Sequence, residues 1–461
     1  MGDVTPPELN WEKARLIPTA GIRGQDEQEK RATSAFLAVM HAVPDFAHTL
    51  LKPIGAPKGQ VSTFTEVRLE DGAGQVHIPD GAIVVTRGRT RWSCLVEVKT
   101  GRSALDAEQV TRYLESARDH GFDGLLTISN QIRTSADDLP YVIDKRKVGR
   151  LGINHVSWWR IQTEAIRLHR FRGVDDPDQA LILNELIRYL DDPKSGASGF
   201  EDMGKEWSEV RDAAKNETLR TGDPGTALIA HRWDQFVEYL AMRLSQELGV
   251  DVHQPKARKA NSSERSSRLV KSLAADGTLN ARLNIPDAIG PIDIEANLRT
   301  GRVTTSVELP APDDGRRPKT QVNWLLRQLK DAPPGLRVEV KFVKTKRTMS
   351  ELLERCDDRP ECLLLEDDLK REPRSFVLAW PRKMGRKRGR VDGSFVTETK
   401  RQVIEFYGEL VQNLVPPPTR PPRLPDLPAE ADHGGDGAVR EVPRTTSDSA
   451  TPAARELLAD P

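Results

Sequence analysis

Between residues 26 and 51, Ala32, Phe36, Leu37, Met40 and Val43 recur at the helical period, broken only near Pro44, and predict a first helix. Three β-rich runs follow: TFTEVRL (63–69), VHIPDGAIVV (76–85) and RWSCLVEVK (91–99). The turn signals DGAG and RGRT separate them, so an antiparallel meander is expected. The helical period returns over 104–119, where Leu105, Val110, Leu114 and Ala117 lie near one face, and GFDGLLTIS (121–129) reads as a buried strand. The predicted order is helix, three strands, helix, strand.

Downstream, residues 155–168 read as a strand running into another element. Asp176-Pro177 with Gln179 supplies an N-cap, a first-turn proline and a capping-box partner for a helix through Leu190. A first domain over 26–192 is thus followed by a polar, partly helical connector (193–224) and a second α/β domain (225–415), with the boundary near 220. The second domain opens with an amphipathic helix over 227–248, whose Trp233, Phe236, Val237, Leu240 and Leu244 share a face. Beyond it the pattern predicts a β-rich stretch (268–309), a helix (319–330), a strand (336–343), a short strand (376–380) and a final helix (396–414). Residues 1–25 read as a loosely held arm. From Pro416 the chain carries 10 of its 32 prolines and too little apolar surface to offset ordering entropy, so 416–461 is expected to be a disordered tail.

Composition narrows the function classes without naming one. The 461 residues include 69 basic and 69 acidic side chains, so no global charge draws the chain to polyanions and any such surface must come from local clusters. No run of 18 apolar residues and no secretory layout at the start appear, which argues against membrane and secreted proteins. The three cysteines, Cys94, Cys356 and Cys362, cannot frame a disulfide scaffold, and a cytoplasmic location is expected. Zinc-ligand spacing, G-x-x-x-x-G-K-[ST] and G-x-S-x-G are all missing.

The chemistry concentrates in the first domain. Asp80 follows Pro79 on the second strand, Glu97-Val98-Lys99 ends the third, and Gln109 lies one turn into the next helix. Side chains alternate along a strand, so Glu97 and Lys99 share a face, and an adjacent antiparallel strand can bring Asp80 beside them. Two carboxylates and an ammonium suit phosphodiester hydrolysis, because Mg²⁺ is typically held by one or two carboxylates plus the substrate phosphate. IPDG at 78–81, EVK at 97–99 and Q-V-x-x-Y-L at 109–114 resemble the PD-(D/E)XK nuclease superfamily over about residues 26–130. That resemblance implies a restriction-endonuclease-like α-β-β-β-α-β core and a Mg²⁺-dependent nuclease, with Mn²⁺ able to substitute. It further implies Asp80 and Glu97 as metal ligands, Lys99 as the catalytic lysine and Gln109 as its helper. An acid on the first helix often joins the metal shell in that superfamily; Glu29, on the inward face with Ala32, Phe36 and Met40, is the candidate, ahead of Glu27 on the opposite side of the wheel.

Nucleic acid, expected to be DNA, would also need phosphate contacts. Arg382, Lys383, Arg386, Lys387, Arg388 and Arg390 place six bases in nine residues, and 256–271 and Asp144-Lys145-Arg146-Lys147 add two basic stretches. Trp158-Trp159 suit either base stacking or a packed core. In the second domain Asp293 and Glu308 stand 15 residues apart, against 17 for Asp80 and Glu97, and Gln321-Val322 repeats Gln109-Val110, but Pro310 replaces the lysine. A degenerate second copy that binds without cutting is one reading; a common strand-loop-helix-strand arrangement is the other. The expected function is a nuclease, with restriction or phage defence, and partner subunits within such an assembly, as the setting that such folds commonly serve. The alternative is a catalytically inactive nucleic-acid-binding or scaffold protein on the same fold.

Overall fold

Residues 15–70, 74–135, 138–255, 262–356 and 359–417 are described by a computed structural model. The chain is a mixed α/β protein with a sheet in each of two lobes. The first lobe runs α1 (Gln25–Ala42), α2 (Pro44–Leu51), β1 (Gln60–Thr65), β2 (Leu69–Glu70), β3 (Val76–His77), β4 (Gly81–Arg87), β5 (Thr90–Val98), α3 (Ala107–Asp119), β6 (Gly124–Ser129), α4 (Lys145–Val148), β7 (Gly152–Ser157), α5 (Trp158–Arg167) and α6 (Pro177–Asp191).

Its main sheet has the order β1-β4-β5-β6-β7, antiparallel through β5 and parallel from β5 to β7. Arg87 pairs with Thr90, so a two-residue turn joins β4 to β5, and Gly88 supplies its left-handed backbone at φ 59°. A parallel neighbour for β5 demands a crossover, which α3 provides. Alternation along β5 sends Val96 and Val98 into a core with Phe36, Met40, Trp158 and Leu186, while Leu95 joins Ala82, Val110 and Leu114 under α3. Asp106 starts α3 by accepting from the backbone N–H groups of Glu108 and Gln109, and Asp176 caps α6 in the same way.

The strand boundaries differ from the sequence expectation around the site. The predicted strand 63–69 is β1 followed by the short β2, and 76–85 is divided into β3 and β4, with residues 78–80 between them. Pro79 has no N–H to give a ladder, which explains the interruption. The element that the strand over 155–168 was expected to run into is a helix, α5, which begins at Trp158 directly after β7. Residues 15–20 are not loose: Arg15 pairs with Asp192 at 2.9 Å, and Arg31 donates to the carbonyls of Pro18 and Ala20. The rest of the predicted arm, 1–14, and residues 418–461 of the predicted tail lie outside the described residues.

The second lobe comprises α7 (Trp207–Lys215), α8 (Pro224–Leu248), α9 (Ser262–Asp276), β8 (Thr278–Leu283), β9 (Ile292–Asn297), β10 (Arg302–Pro310), α10 (Pro318–Gln328), β11 (Arg337–Phe342), β12 (Thr348–Leu352), α11 (Leu353–Cys356), β13 (Pro373–Lys383) and α12 (Phe395–Glu405). Every ladder in its sheet, ordered β12-β11-β13-β10-β9-β8, is antiparallel. The strand expected over 376–380 covers 373–383; Pro381 is tolerated because beyond Ala379 only β10 flanks it. Phe200, Met203, Trp207 and Val210 from the connector belong to this lobe's core.

The echo of the first domain does not survive. β13 separates β10 from β11, whereas β5 and β6 are direct neighbours. Asp293 lies opposite Ser306 rather than Glu308. Its carboxylate is taken by Arg282, and Glu308 by Lys341 at 2.8 Å and Ser375 at 2.6 Å. The second lobe thus differs from the first in strand order and in the register of these acids.

Candidate active site

Gly81 pairs with Val96, so one step back the register sets Asp80 opposite Glu97. Asp80 is fixed on both sides: Glu66 N–H donates to its carbonyl at 2.9 Å, and Val98 N–H to its Oδ2 at 2.7 Å. Only glycine fits at position 81, because a Cβ there would lie 2.5 Å from Leu37 Cδ1 and 2.6 Å from the Phe64 carbonyl oxygen. The close approach of α1 to β4 thus accounts for the glycine in IPDG.

Glu97 is 1% exposed, and neither carboxylate oxygen has a hydrogen-bond partner. Lys99 Nζ stands 3.0 Å from Glu97 Oε1 and 3.4 Å from Glu29 Oε2. Burial, together with the negative charge of Asp80, pushes the Glu97 carboxyl up to about 8. Asp80 is raised as well, chiefly by burial, although the Val98 N–H and the Lys99 charge oppose that. Burial pulls the Lys99 ammonium down, but Glu97, Glu29 and Asp80 outweigh it and hold its pKa above the ordinary lysine value.

Four of the sequence-predicted residues therefore meet: Asp80 and Glu97 side by side, Lys99 against Glu97, and Glu29 against Lys99. Glu29 also accepts from Thr100 N–H at 3.4 Å and Gln25 at 3.5 Å, so it reaches the carboxylate pair through the lysine. Glu27 is engaged elsewhere, by Arg31 at 2.5 Å and the Arg23 N–H. Gln109 donates to Tyr113 Oη at 3.2 Å, and Tyr113 donates to the Ile78 carbonyl at 3.1 Å, so Gln109 connects to the segment carrying Asp80 rather than to the lysine.

Two features had no signal in the sequence. Across the sheet, Glu97 is in register with Thr127 and Thr127 with His155, which makes a polar row. Thr127 Oγ1 lies 3.0 Å from His155 Nδ1 and 3.1 Å from Tyr141 Oη, and burial lowers His155 to about 4, so the ring is neutral. Behind the lysine, Trp158 Nε1 donates to the Lys99 carbonyl at 2.9 Å and Lys99 N–H to Ile128 at 2.8 Å. Trp158 is buried and packs edge-on against Phe36, and the partly buried Trp159 lies tilted against Tyr239, so both tryptophans serve packing.

A buried carboxylate beside a second one, with a single lysine against it, fits a hard divalent cation. Asp80 and Glu97 could hold one. Among the described residues no three His, Cys, Asp or Glu side chains converge as a metal cage, so water and substrate would have to complete the shell.

The basic run 382–390 is only partly free. Arg382 pairs with Glu405 and lies over Trp380, Arg388 donates to the Lys205 carbonyl at 2.8 Å, and Arg390 donates to the Phe200 carbonyl at 3.3 Å. These three brace the fold. Lys383, Arg386 and Lys387 are exposed, and none has a side-chain partner among the described residues. In the other stretches, Arg265 is bound by Asp234 at 2.7 Å, and residues 256–261 lie outside the described residues.

No protein-family model matches the chain, and no curated protein matches it. Among the described residues, no helix is long and apolar enough to cross a membrane.

Proposed function

We propose that this protein is a metal-dependent nuclease of the PD-(D/E)XK type, with its active site at Asp80, Glu97 and Lys99 and with DNA as substrate. The observation that carries the reading is Glu97, buried beside a second carboxylate with Lys99 as the cation that they share. Such an arrangement costs stability, and a divalent cation is the ligand that relieves it. The order α1, β1, β4, β5, α3, β6, with Asp80 entering β4 and Lys99 leaving β5, supports the restriction-endonuclease-like core.

A bound Mg²⁺ or Mn²⁺ would neutralise charge building on the phosphoryl oxygens during attack. Asp80 and Glu97 would hold it, Asp80 aimed by the Val98 N–H. Lys99, flanked by two acids, stays protonated at neutral pH and so acts as a donor: it orients the attacking water or stabilises the pentavalent phosphate, and it does not serve as a general base. Glu29 keeps the ammonium turned toward the site. Gln109 and Tyr113 hold the segment before Asp80. Lys383, Arg386 and Lys387 are the remaining candidates for phosphate contacts in their run.

Incubating the full chain with plasmid, linear DNA and RNA, each with Mg²⁺, Mn²⁺ or EDTA, tests this reading. Cleavage that requires the metal supports it, and the substrate panel assigns DNA or RNA. Lack of cleavage under every condition would favour the non-catalytic binder.

A further inference from the structure

Lys99 is followed by a tight turn whose hydrogen bonds converge on one side chain from another strand end. Gly101, at φ 57°, donates its N–H to the Gly196 carbonyl at 2.9 Å. Asn130, just past β6, donates through Nδ2 to the carbonyls of both Gly101 (2.9 Å) and Gly196 (2.8 Å) and accepts from Ser198 N–H at 2.8 Å through Oδ1. One amide thereby locks the turn after the lysine to the segment leading into the second lobe. Gln28 adds a parallel tie, accepting from Thr100 Oγ1 at 3.0 Å and donating to the Lys194 carbonyl at 2.8 Å. That segment is itself held firmly: a Cβ on Gly199 would lie 2.6 Å from Tyr239, and Phe200 packs on Phe236.

We infer that Asn130 is a positioning residue for the site proposed above, fixing the Lys99–Gly101 turn so that the lysine ammonium stays between Glu97 and Glu29. The inference rests on the nuclease reading for its catalytic consequence and on geometry alone for its structural one. Only an amide fits: it must give two protons to two carbonyls and accept one from a backbone N–H. An aspartate would turn both donors into acceptors facing carbonyl oxygens, while leaving the shape and the Ser198 contact.

The test compares wild type, Asn130→Asp and Asn130→Ala in the full chain, with two readouts. In metal-dependent cleavage, kcat should fall about 100-fold in Asn130→Asp with KM nearly unchanged, the scale expected when a reacting group is misplaced by about 1 Å. Independently of any activity, amine acylation followed by mass spectrometry at one fixed pH should label Lys99 several-fold faster in both variants, at unchanged rates for surface lysines and with circular dichroism confirming the fold. Faster Lys99 labelling without wild-type cleavage would sink the nuclease reading and keep the clamp. Unchanged labelling, or a KM effect with kcat intact, would overturn the clamp. If Asn130→Asp does not fold, Asn130→Ala decides through the same labelling comparison.

Discussion

The two lobes place acidic side chains at matching points of neighbouring strands and treat them in opposite ways. In the second lobe each acid is neutralised on a partly exposed sheet face: Asp293 by Arg282, Glu308 by Lys341 and Ser375, so Glu308 is held below the ordinary carboxyl value despite some burial. In the first lobe the half-buried Asp80 and the buried Glu97 are brought together, with Lys99 at 3.0 Å from Glu97 as the cation that they share. The cause is a two-residue difference in register. Asp80 and Glu97 each lie seven residues from the Arg87–Thr90 pair that flanks their turn and so face one another, whereas Asp293 and Glu308 lie four and six residues from the Asn297–Arg302 pair, so 293 faces 306 and Glu308 lies beyond it. In the second lobe each acid has its own cation; in the first, two neighbouring acids and Glu29 share Lys99, which is the basis of the metal site proposed above.

The largest expected effect is on turnover. Asp80→Asn, Glu97→Gln and Lys99→Ala should each lower metal-dependent cleavage by about 10³-fold or more, at the upper end of losing one charge-stabilising group, while Glu308→Gln leaves it unchanged. A gel time course with all four variants separates the lobes. Equal losses in Glu308→Gln would erase the contrast.

Next in size is the pH dependence of metal affinity. Cations bind the carboxylate form, so with Glu97 at about 8 the affinity for Mn²⁺ should rise up to about tenfold per pH unit below that value and level off above it. Glu97→Gln removes the dependence along with most of the binding.

Stability should move the opposite way. A carboxyl whose pKa is raised on folding contributes stability that is complete below the ordinary glutamate value near 4.5 and is lost as pH climbs toward about 8. In EDTA, the metal-free protein should therefore weaken over that window by at most ~1.4 kcal/mol per pH unit from this group, and Glu97→Gln should flatten the profile. Denaturant melts from pH 5 to pH 8 give the answer; a steeper profile in Glu97→Gln would contradict the assignment.

Smaller again is the salt response. Replacing Arg386 and Lys387 by Ser should reduce the salt slope of DNA binding by at most ~0.9 for each lost phosphate contact, with the fold intact. Arg388→Ser should instead loosen the Lys205 contact. Smallest is Asp293→Asn, expected to cost under ~1 kcal/mol because its pair with Arg282 is partly exposed.

Much of this contrast was legible before the coordinates. Periodicity identified the helix of Phe36 and Met40, the EVK strand and the helix after Asp106, because each has a buried face that the period reveals. The RGRT turn even carries the register: a two-residue hairpin between Arg87 and Thr90 makes 80 and 97 opposite by counting. Counting across the β9–β10 turn would likewise have shown that Asp293 and Glu308 are not opposite one another, since 293 pairs with 306. Sheet order was not legible, because nothing local in 373–383 announces that this late strand inserts between β10 and β11. Asn130, and the tie from Trp158 to the Lys99 carbonyl, were missed for a related reason: the partners are backbone groups about 30 and 60 positions away, which no periodic pattern encodes.

The central claim is that Asp80 and Glu97, two neighbouring carboxyl groups that share the single lysine Lys99, receive a divalent cation. Calorimetric titration of Mn²⁺ into the full chain at pH 7, in two buffers of different ionisation enthalpy, tests it most directly. The account predicts saturable binding that releases close to one proton per cation, abolished by Glu97→Gln and unaffected by Glu308→Gln. Lack of saturable binding in the wild type, or binding that survives Glu97→Gln with the same proton release, would contradict it.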